Sequence, residues 1–344
     1  MIVSISLDNK KGGIANSLIS YSKALEMIHE EHWIILPSDA SVIQELSKIS
    51  NVKICSMSKN KLRLHSYTRF FFHQGLKKIF ETTKWIFVHN SKLLKFLKGY
   101  HNKIGLINHS GKMRNMLHNA CNIFITNQGM KRFLTRYPYN RSKNVVIPHG
   151  FDTSFESVDS RISQDNVLRI ISAGRFVEKK GFLDLIEAAA ILEYEKFPVQ
   201  IKLFGSGALE KTLTNRIKTL GLTNIEVMGW TSSLTQEFLA ADIFCIPSHE
   251  EPFGLIIGEA MLSGLPVVST KTDGGLEILG SNPENRGGLL VNINDPAEIK
   301  NALIRLQNKE LRTKLSNNAK ENIRTNYSLE KLSTNLRSLI DDAA

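Results

Sequence analysis

Two acidic residues, Glu251 and Glu259, stand eight positions apart in the otherwise apolar run HEEPFGLIIGEAM (His249–Met261). A carboxylate in a core-like stretch needs a partner, because burying it alone is costly. Phe253–Ser263 reads as a helix whose first turn Pro252 presets. Eight residues advance by about 800°, close to two full rotations, so both carboxylates are expected on one helix face. Between them the amides of Phe253, Gly254 and Leu255 would gather at the positive end of the helix. Carboxylates at two depths suit a polyol, whose hydroxyls can donate to each, and free amides suit an attached anion.

Two further stretches offer complementary chemistry. SAGRFVEKKG (Ser172–Gly181) follows a predicted strand and precedes a predicted helix, where an anion meets free backbone donors. Arg175 brings a planar fork of donors and Lys180 a point charge, a pairing suited to a diphosphate; alone, an ordinary solvated basic turn would look the same. LFGSGALE (Leu203–Glu210) is not a dinucleotide fingerprint, since Gly205 and Gly207 are followed by no third glycine. Its glycines could admit a base or ribose close to the backbone, as Gly12 and Gly13 could after the first strand. Either pair is equally consistent with a plain tight turn.

These residues need a scaffold, and the chain alternates short β-branched or aromatic runs with helical patterns. The first half places strands at Ile2–Leu7, Trp33–Leu36, Val52–Cys55, Trp85–Val88, Ile104–Ile107, Ile123–Thr126 and Asn144–Ile147. The second half repeats the pattern at Leu168–Ala173, Gln200–Phe204, Ile225–Met228, Ile243–Ile246, Pro266–Ser269 and Gly288–Val291. Such alternation implies two doubly wound parallel α/β domains with a cleft between them, ligands lying at the carboxyl ends of the strands. The Ser- and Asp-rich stretch TSFESVDSRISQDN (153–166) reads as a linker. Domains are expected at 1–150 and 151–327, with a helix at 328–344, carrying Leu329, Leu332, Leu336 and Leu339, that needs a groove and packs back on the first domain.

Composition fits this frame: 344 residues, 42% hydrophobic and 22% charged, exceed one average domain. No apolar run approaches the roughly 20 residues of a membrane-spanning helix, and the N-terminus reads as a strand and not a signal, so an intracellular protein is expected. Cys55, Cys121 and Cys245 have neither metal-type nor disulfide-type spacing. The net charge of +11 divides unevenly: residues 1–150 carry 23 Lys and Arg against 7 Asp and Glu, the remainder 21 against 26. Within Lys59–Phe80 six basic residues alternate with Tyr67, Phe70, Phe71 and Phe72, a mixture suited to an anionic headgroup surface. Nucleic acid is not expected, because no recognition motif is present and an acidic pair would repel phosphates.

Glu251 and Glu259 in EPFGLIIGEA resemble the E-x7-E motif of glycosyltransferase family 4, retaining sugar-nucleotide transferases of the GT-B fold. GRFVEKKG, IPHGFD, FGSG, MGW and GGLLVNINDP resemble that family's signatures in the same order; KGGIANSL and GLINHSG do so in the first half. The resemblance implies that Arg175 and Lys180 bind the donor diphosphate, Glu251 the donor sugar and Glu259 the nucleotide ribose. It further implies backbone contacts from Phe253, Gly254 and Leu255, a base near Gly229 and Trp230, an approach of Gly13 to the phosphates, and His109 near the sugar. The implied reaction is retaining transfer of a hexose-type sugar from a nucleoside diphosphate, UDP among the candidates, to a saccharide or lipid-linked acceptor, in surface polysaccharide, lipopolysaccharide or glycolipid synthesis. The acceptor falls to the first domain, the enzyme working in the cytoplasm or at the inner membrane face. No cofactor is implied, and no Asp-x-Asp motif calls for a metal. A sugar-nucleotide epimerase of similar fold is the alternative. The chain departs from the family at His149, where Asn is common, and in TDGGLEIL, which is one residue short before Glu277; neither residue receives a role.

Overall fold

The computed structural model describes residues 1–10, 12–58, 60, 74–97, 99–109, 121–154 and 166–342. Most of the basic and aromatic stretch Lys59–Phe80, most of the linker 153–166, and Ser110 and Gly111 of GLINHSG lie outside them. The chain divides into two compact units, one of Met1–Asp152 with Tyr327–Ala344 and another of Thr153–Asn326.

The first unit holds seven strands: β1 (Ile2–Ile5), β2 (His32–Pro37), β3 (Val52–Met57), β4 (Trp85–Val88), β5 (Ile104–Asn108), β6 (Cys121–Phe124) and β7 (Asn144–Val146). They pair in the order β3-β2-β1-β4-β5-β6-β7, every pair parallel. β1, β4, β5 and β6 are buried at every position, which is why they read as largely apolar runs; helices cover both faces of such a sheet. β1 stops at Ile5, short of the expected Leu7, because the Leu7 amide donates to Asn90 Oδ1 at 2.6 Å and leaves the ladder. β6 stops before Thr126, whose hydroxyl caps the helix Asn127–Arg136 by accepting from the Gly129 amide at 3.1 Å. Buried His32 ties sheet to helix, its two ring nitrogens each 2.8 Å from the hydroxyls of Ser22 and Ser4.

The helix Leu329–Asp341, capped by Ser328, belongs to this unit and packs along the helix Gly13–Met27. A parallel bridge fixes its start: the Phe151 amide donates to the Tyr327 carbonyl at 2.7 Å, and the Leu329 amide to the Phe151 carbonyl at 3.0 Å.

The second unit holds β8 (Leu168–Ala173), β9 (Val199–Phe204), β10 (Ile225–Gly229), β11 (Ile243–Ile246), β12 (Val267–Thr270) and β13 (Gly288–Val291), paired in parallel in the order β10-β9-β8-β11-β12-β13. Strand order reverses between β1 and β4 in one sheet and between β8 and β11 in the other. The connections on either side of a reversal leave in opposite directions and open a crevice at the carboxyl ends of the strands. Among the described residues no helix is long and apolar enough to cross a membrane.

Candidate donor site at the second sheet

The segments following β8 and β11, on either side of the reversal, are stitched together. The Lys179 carbonyl accepts from the amides of His249 at 2.9 Å and Glu250 at 3.1 Å, and His249 Nε2 lies 2.8 Å from Asp184 Oδ2. Gly181 makes the joint possible: it is left-handed at φ 62°, and a methyl there would stand 2.0 Å from the Pro247 carbonyl oxygen. Across this joint Lys180 Nζ donates to Glu251 Oε2, both side chains largely buried. The stem of Lys180 runs back past Gly174, and Arg175 projects from the same turn, exposed.

The two glutamates do not share a helix, which corrects the expectation drawn from their spacing. The helix is Leu255–Leu262; Gly254 is its N-cap, left-handed at φ 84°, and no side chain caps it. Glu251 and Pro252 precede this reversal, so Pro252 does not set the first turn and the rotation count does not apply between positions 251 and 259. Tertiary contacts hold Glu251 instead. Its carbonyl accepts from the Gly274 amide at 2.8 Å, and its Cγ would lie 3.2 Å from a methyl on Gly254. The carboxylate is thereby placed beside a helix start whose first amides have no intrahelical acceptor. Phe253 is buried in the turn and Leu255 is the first helical residue. Glu259 stands in the second turn with its side chain exposed, and desolvation by the surrounding protein raises its carboxyl above the ordinary range.

On the other side of β8, three strand ends meet through glycines. The Gly174 amide donates to the Phe204 carbonyl at 3.0 Å and the Gly205 amide to the Gly229 carbonyl at 2.8 Å. Gly205 at φ 147° would carry a methyl 1.9 Å from the Gly174 carbonyl oxygen, and Gly207 at φ 155° one 2.6 Å from that of Phe176. The protein's own backbone therefore accounts for these glycines without any ligand. Gly229 ends β10, and Trp230 follows it with 73% of its surface exposed.

In the first unit, Gly13 opens the helix Gly13–Met27, and a methyl on Gly12 or Gly13 would meet no heavy atom within 4 Å. His109 directly follows β5, half-buried, its Nε2 2.9 Å from Nδ1 of His89.

The structure thus pairs Lys180 with Glu251, sets Glu251 against Gly254 and links Gly205 to Gly229. Among the described residues no ion pair holds Arg175 or Glu259, and no group of three His, Cys, Asp or Glu side chains is disposed to hold a metal. Sequence reasoning missed the Lys179 carbonyl, the Asp184–His249 pair and Gly274. Of these only TDGG carried a signal, a Thr placed to cap the helix Asp273–Leu279, which Thr272 does.

Residues 155–322 match the family described as Glycosyl transferases group 1. Over 166 residues the chain is 34% identical to the lipopolysaccharide core biosynthesis glycosyltransferase LpsE of Rhizobium meliloti, covering 47% of this chain and 46% of that protein. It is 30% identical over 172 residues to an uncharacterized glycosyltransferase of Methanocaldococcus jannaschii, covering 49% and 46%. The matched part spans about half the length of these relatives. Among solved structures, Anabaena HepE in complex with UDP superposes with a TM-score of 0.81 at 19% identity, over 99% of both chains. A glycosyltransferase from Rickettsia africae superposes with a TM-score of 0.81 at 19% identity, over 99% of this chain and 98% of that one. The fold is therefore GT-B, with two Rossmann-like α/β units.

Proposed function

We propose that the protein is a retaining glycosyltransferase of family 4 that moves a hexose-type sugar from a nucleoside diphosphate sugar to a saccharide or lipid-linked acceptor. One observation carries this reading: at the reversal point of the second sheet, Lys180 and Glu251 lie paired beside the uncapped helix start at Gly254, with Arg175 on the same turn as Lys180. A diphosphate fits cations and free amides, and sugar hydroxyls fit a carboxylate already held in place. The match to group 1 glycosyl transferases over this unit supports the same chemistry.

In this reading Glu251 accepts from hydroxyls of the donor sugar and Glu259 from the ribose, with Trp230 and the hydrogen-bonded strand ends at Gly205 and Gly229 beside the base. Phe253, Gly254 and Leu255 offer backbone contacts to sugar and phosphate, and the family resemblance assigns Gly13 to the phosphates and His109 to the sugar. Breaking the bond from the anomeric carbon to the diphosphate oxygen leaves charge on that oxygen. Arg175, Lys180 and the helix start are preorganised to receive it, so they bind the transition state more tightly than the ground state. No residue has to serve as a covalent nucleophile, and no metal or other cofactor is required.

HepE was crystallised with UDP, which makes a uridine donor the first to try. LpsE is named for lipopolysaccharide core synthesis, which favours an acceptor of that chemistry handled by the first unit. That unit carries 25 Lys and Arg against 11 Asp and Glu, a balance suited to docking on the anionic inner face of the cell membrane. The test is a screen of UDP-, GDP- and ADP-sugars for slow hydrolysis without acceptor. One donor class hydrolysed by the wild type and spared by Arg175→Ala supports the reading; hydrolysis of none, with no binding of any nucleoside diphosphate, refutes it.

A further inference from the structure

Three histidine rings lie side by side and nearly parallel in the first unit. His89 follows β4 and His109 follows the adjacent β5, their rings 5.1 Å apart between centroids and inclined by 15°; His149 lies beyond His109 at 5.8 Å and 11°. His89 and His149 are buried and His109 half-buried. Burial pushes His89 down to about 3 and His149 to about 4, and holds His109 well below the ordinary range, so near neutral pH each ring is uncharged and carries one N–H.

The 2.9 Å contact between His89 Nδ1 and His109 Nε2 needs one donor and one acceptor. His89 Nε2 is buried with no hydrogen-bond partner. Were His109 the donor, the single hydrogen of His89 would sit on that Nε2, a buried N–H with no acceptor; the opposite arrangement leaves only a lone pair there. Orphaned buried N–H groups are the rarer of the two. We infer that His89 is a positioning residue: its Nδ1–H donates to His109 Nε2 and fixes His109 as the Nδ1–H tautomer, so that His109 meets a ligand as an N–H donor to a hydroxyl or phosphate oxygen and not as a base. His149, standing where the resembled family commonly has Asn, lies next to His109 with its ring nearly parallel to it.

The tautomer follows from the hydrogen-bond geometry and the neutrality of the buried rings, whereas its use on a sugar or phosphate oxygen rests on the proposed function. Both are testable on the full chain labelled with 15N-histidine. Long-range 1H–15N correlation at neutral pH, with His109 assigned by its loss in His109→Asn, should place His109 Nδ1 among protonated nitrogens and Nε2 among unprotonated ones. His89→Phe keeps a ring but removes the donor. It should release His109 to the Nε2–H or a mixed tautomer and lower kcat on the order of 10-fold, with KM for the donor less affected. His89→Asn, whose amide nitrogen replaces Nδ1–H, should restore both the tautomer and most of the turnover. A wild-type His109 protonated at Nε2 overturns the inference, and that spectrum needs no variant of His89 to fold. An unchanged tautomer in folded His89→Phe overturns the role of His89. With the tautomer as inferred but no sugar transfer from any donor, the proposed function fails and the assignment stands.

Discussion

A methyl on Gly205 would lie 1.9 Å from the Gly174 carbonyl oxygen, whereas one on Gly13 would meet nothing within 4 Å. The first glycine answers to the fold and the second leaves open space that a ligand can use. Gly13→Ala should therefore keep its thermal stability while losing donor affinity, and Gly205→Ala should unfold at clearly lower temperature; calorimetry on both variants separates the two. The charged residues divide in a similar way. If Arg175 and Lys180 stabilise the departing diphosphate, either Ala variant should lower turnover by about 100- to 1000-fold while donor affinity suffers less. Lys179→Ala is the control, since the stitching role of Lys179 belongs to its carbonyl and survives truncation. Steady-state kinetics showing Lys179→Ala as damaging as Lys180→Ala would displace the diphosphate from this turn.

At the level of elements, the joint between the segments after β8 and β11 depends on Gly181. Gly181→Ala should cost about 2 kcal/mol or more, because a left-handed residue gains a side chain where the Pro247 carbonyl stands. Thermal melts would show this as a lowering of roughly 4–8 °C, and an unchanged Tm would mean that the joint is not held as described. The strands themselves were legible in the sequence. β4, β8, β11 and β13 fall at the bounds their apolar runs indicate, because a parallel strand covered on both faces has no polar face to blur its ends. The helix start at Leu255 was not legible. The apolar run is continuous across Phe253, Gly254 and Leu255, and the left-handed turn at Gly254 changes direction without changing hydropathy. Nor were the partners across the joint: Lys180 and Glu251 lie 71 residues apart, Asp184 and His249 65. Such contacts are set by strand order, which local patterning does not encode. The residue types of the site could be read, and their mutual geometry could not.

For the whole molecule, charge and titration both distinguish the first unit. It holds His32, His89, His109 and His149, all depressed by burial. The unfolded chain takes up protons on these rings near pH 6.5 while the folded chain does not, so their stability is fully present above that pH and is lost as pH falls toward the folded values. At pH 5 His32 and His89, each pushed down to about 3, should each oppose folding by about 2 kcal/mol. Denaturant unfolding at pH 7 and pH 5 reads this loss, and equal stability at both would contradict it. The same unit's excess of cations should bind it to anionic vesicles in a salt-sensitive way, since charges in solvent are screened over about 8 Å at physiological ionic strength. Cosedimentation indifferent to lipid charge would remove the membrane from the account. The central claim, that the second unit carries the nucleotide end of a sugar donor, is tested most directly by isothermal titration of UDP, GDP and ADP into the wild type and Glu259→Ala. The account predicts that one diphosphate binds the wild type, and that Glu259→Ala weakens that binding while remaining folded. Equal affinity of both proteins for every diphosphate, or none for any, would contradict it.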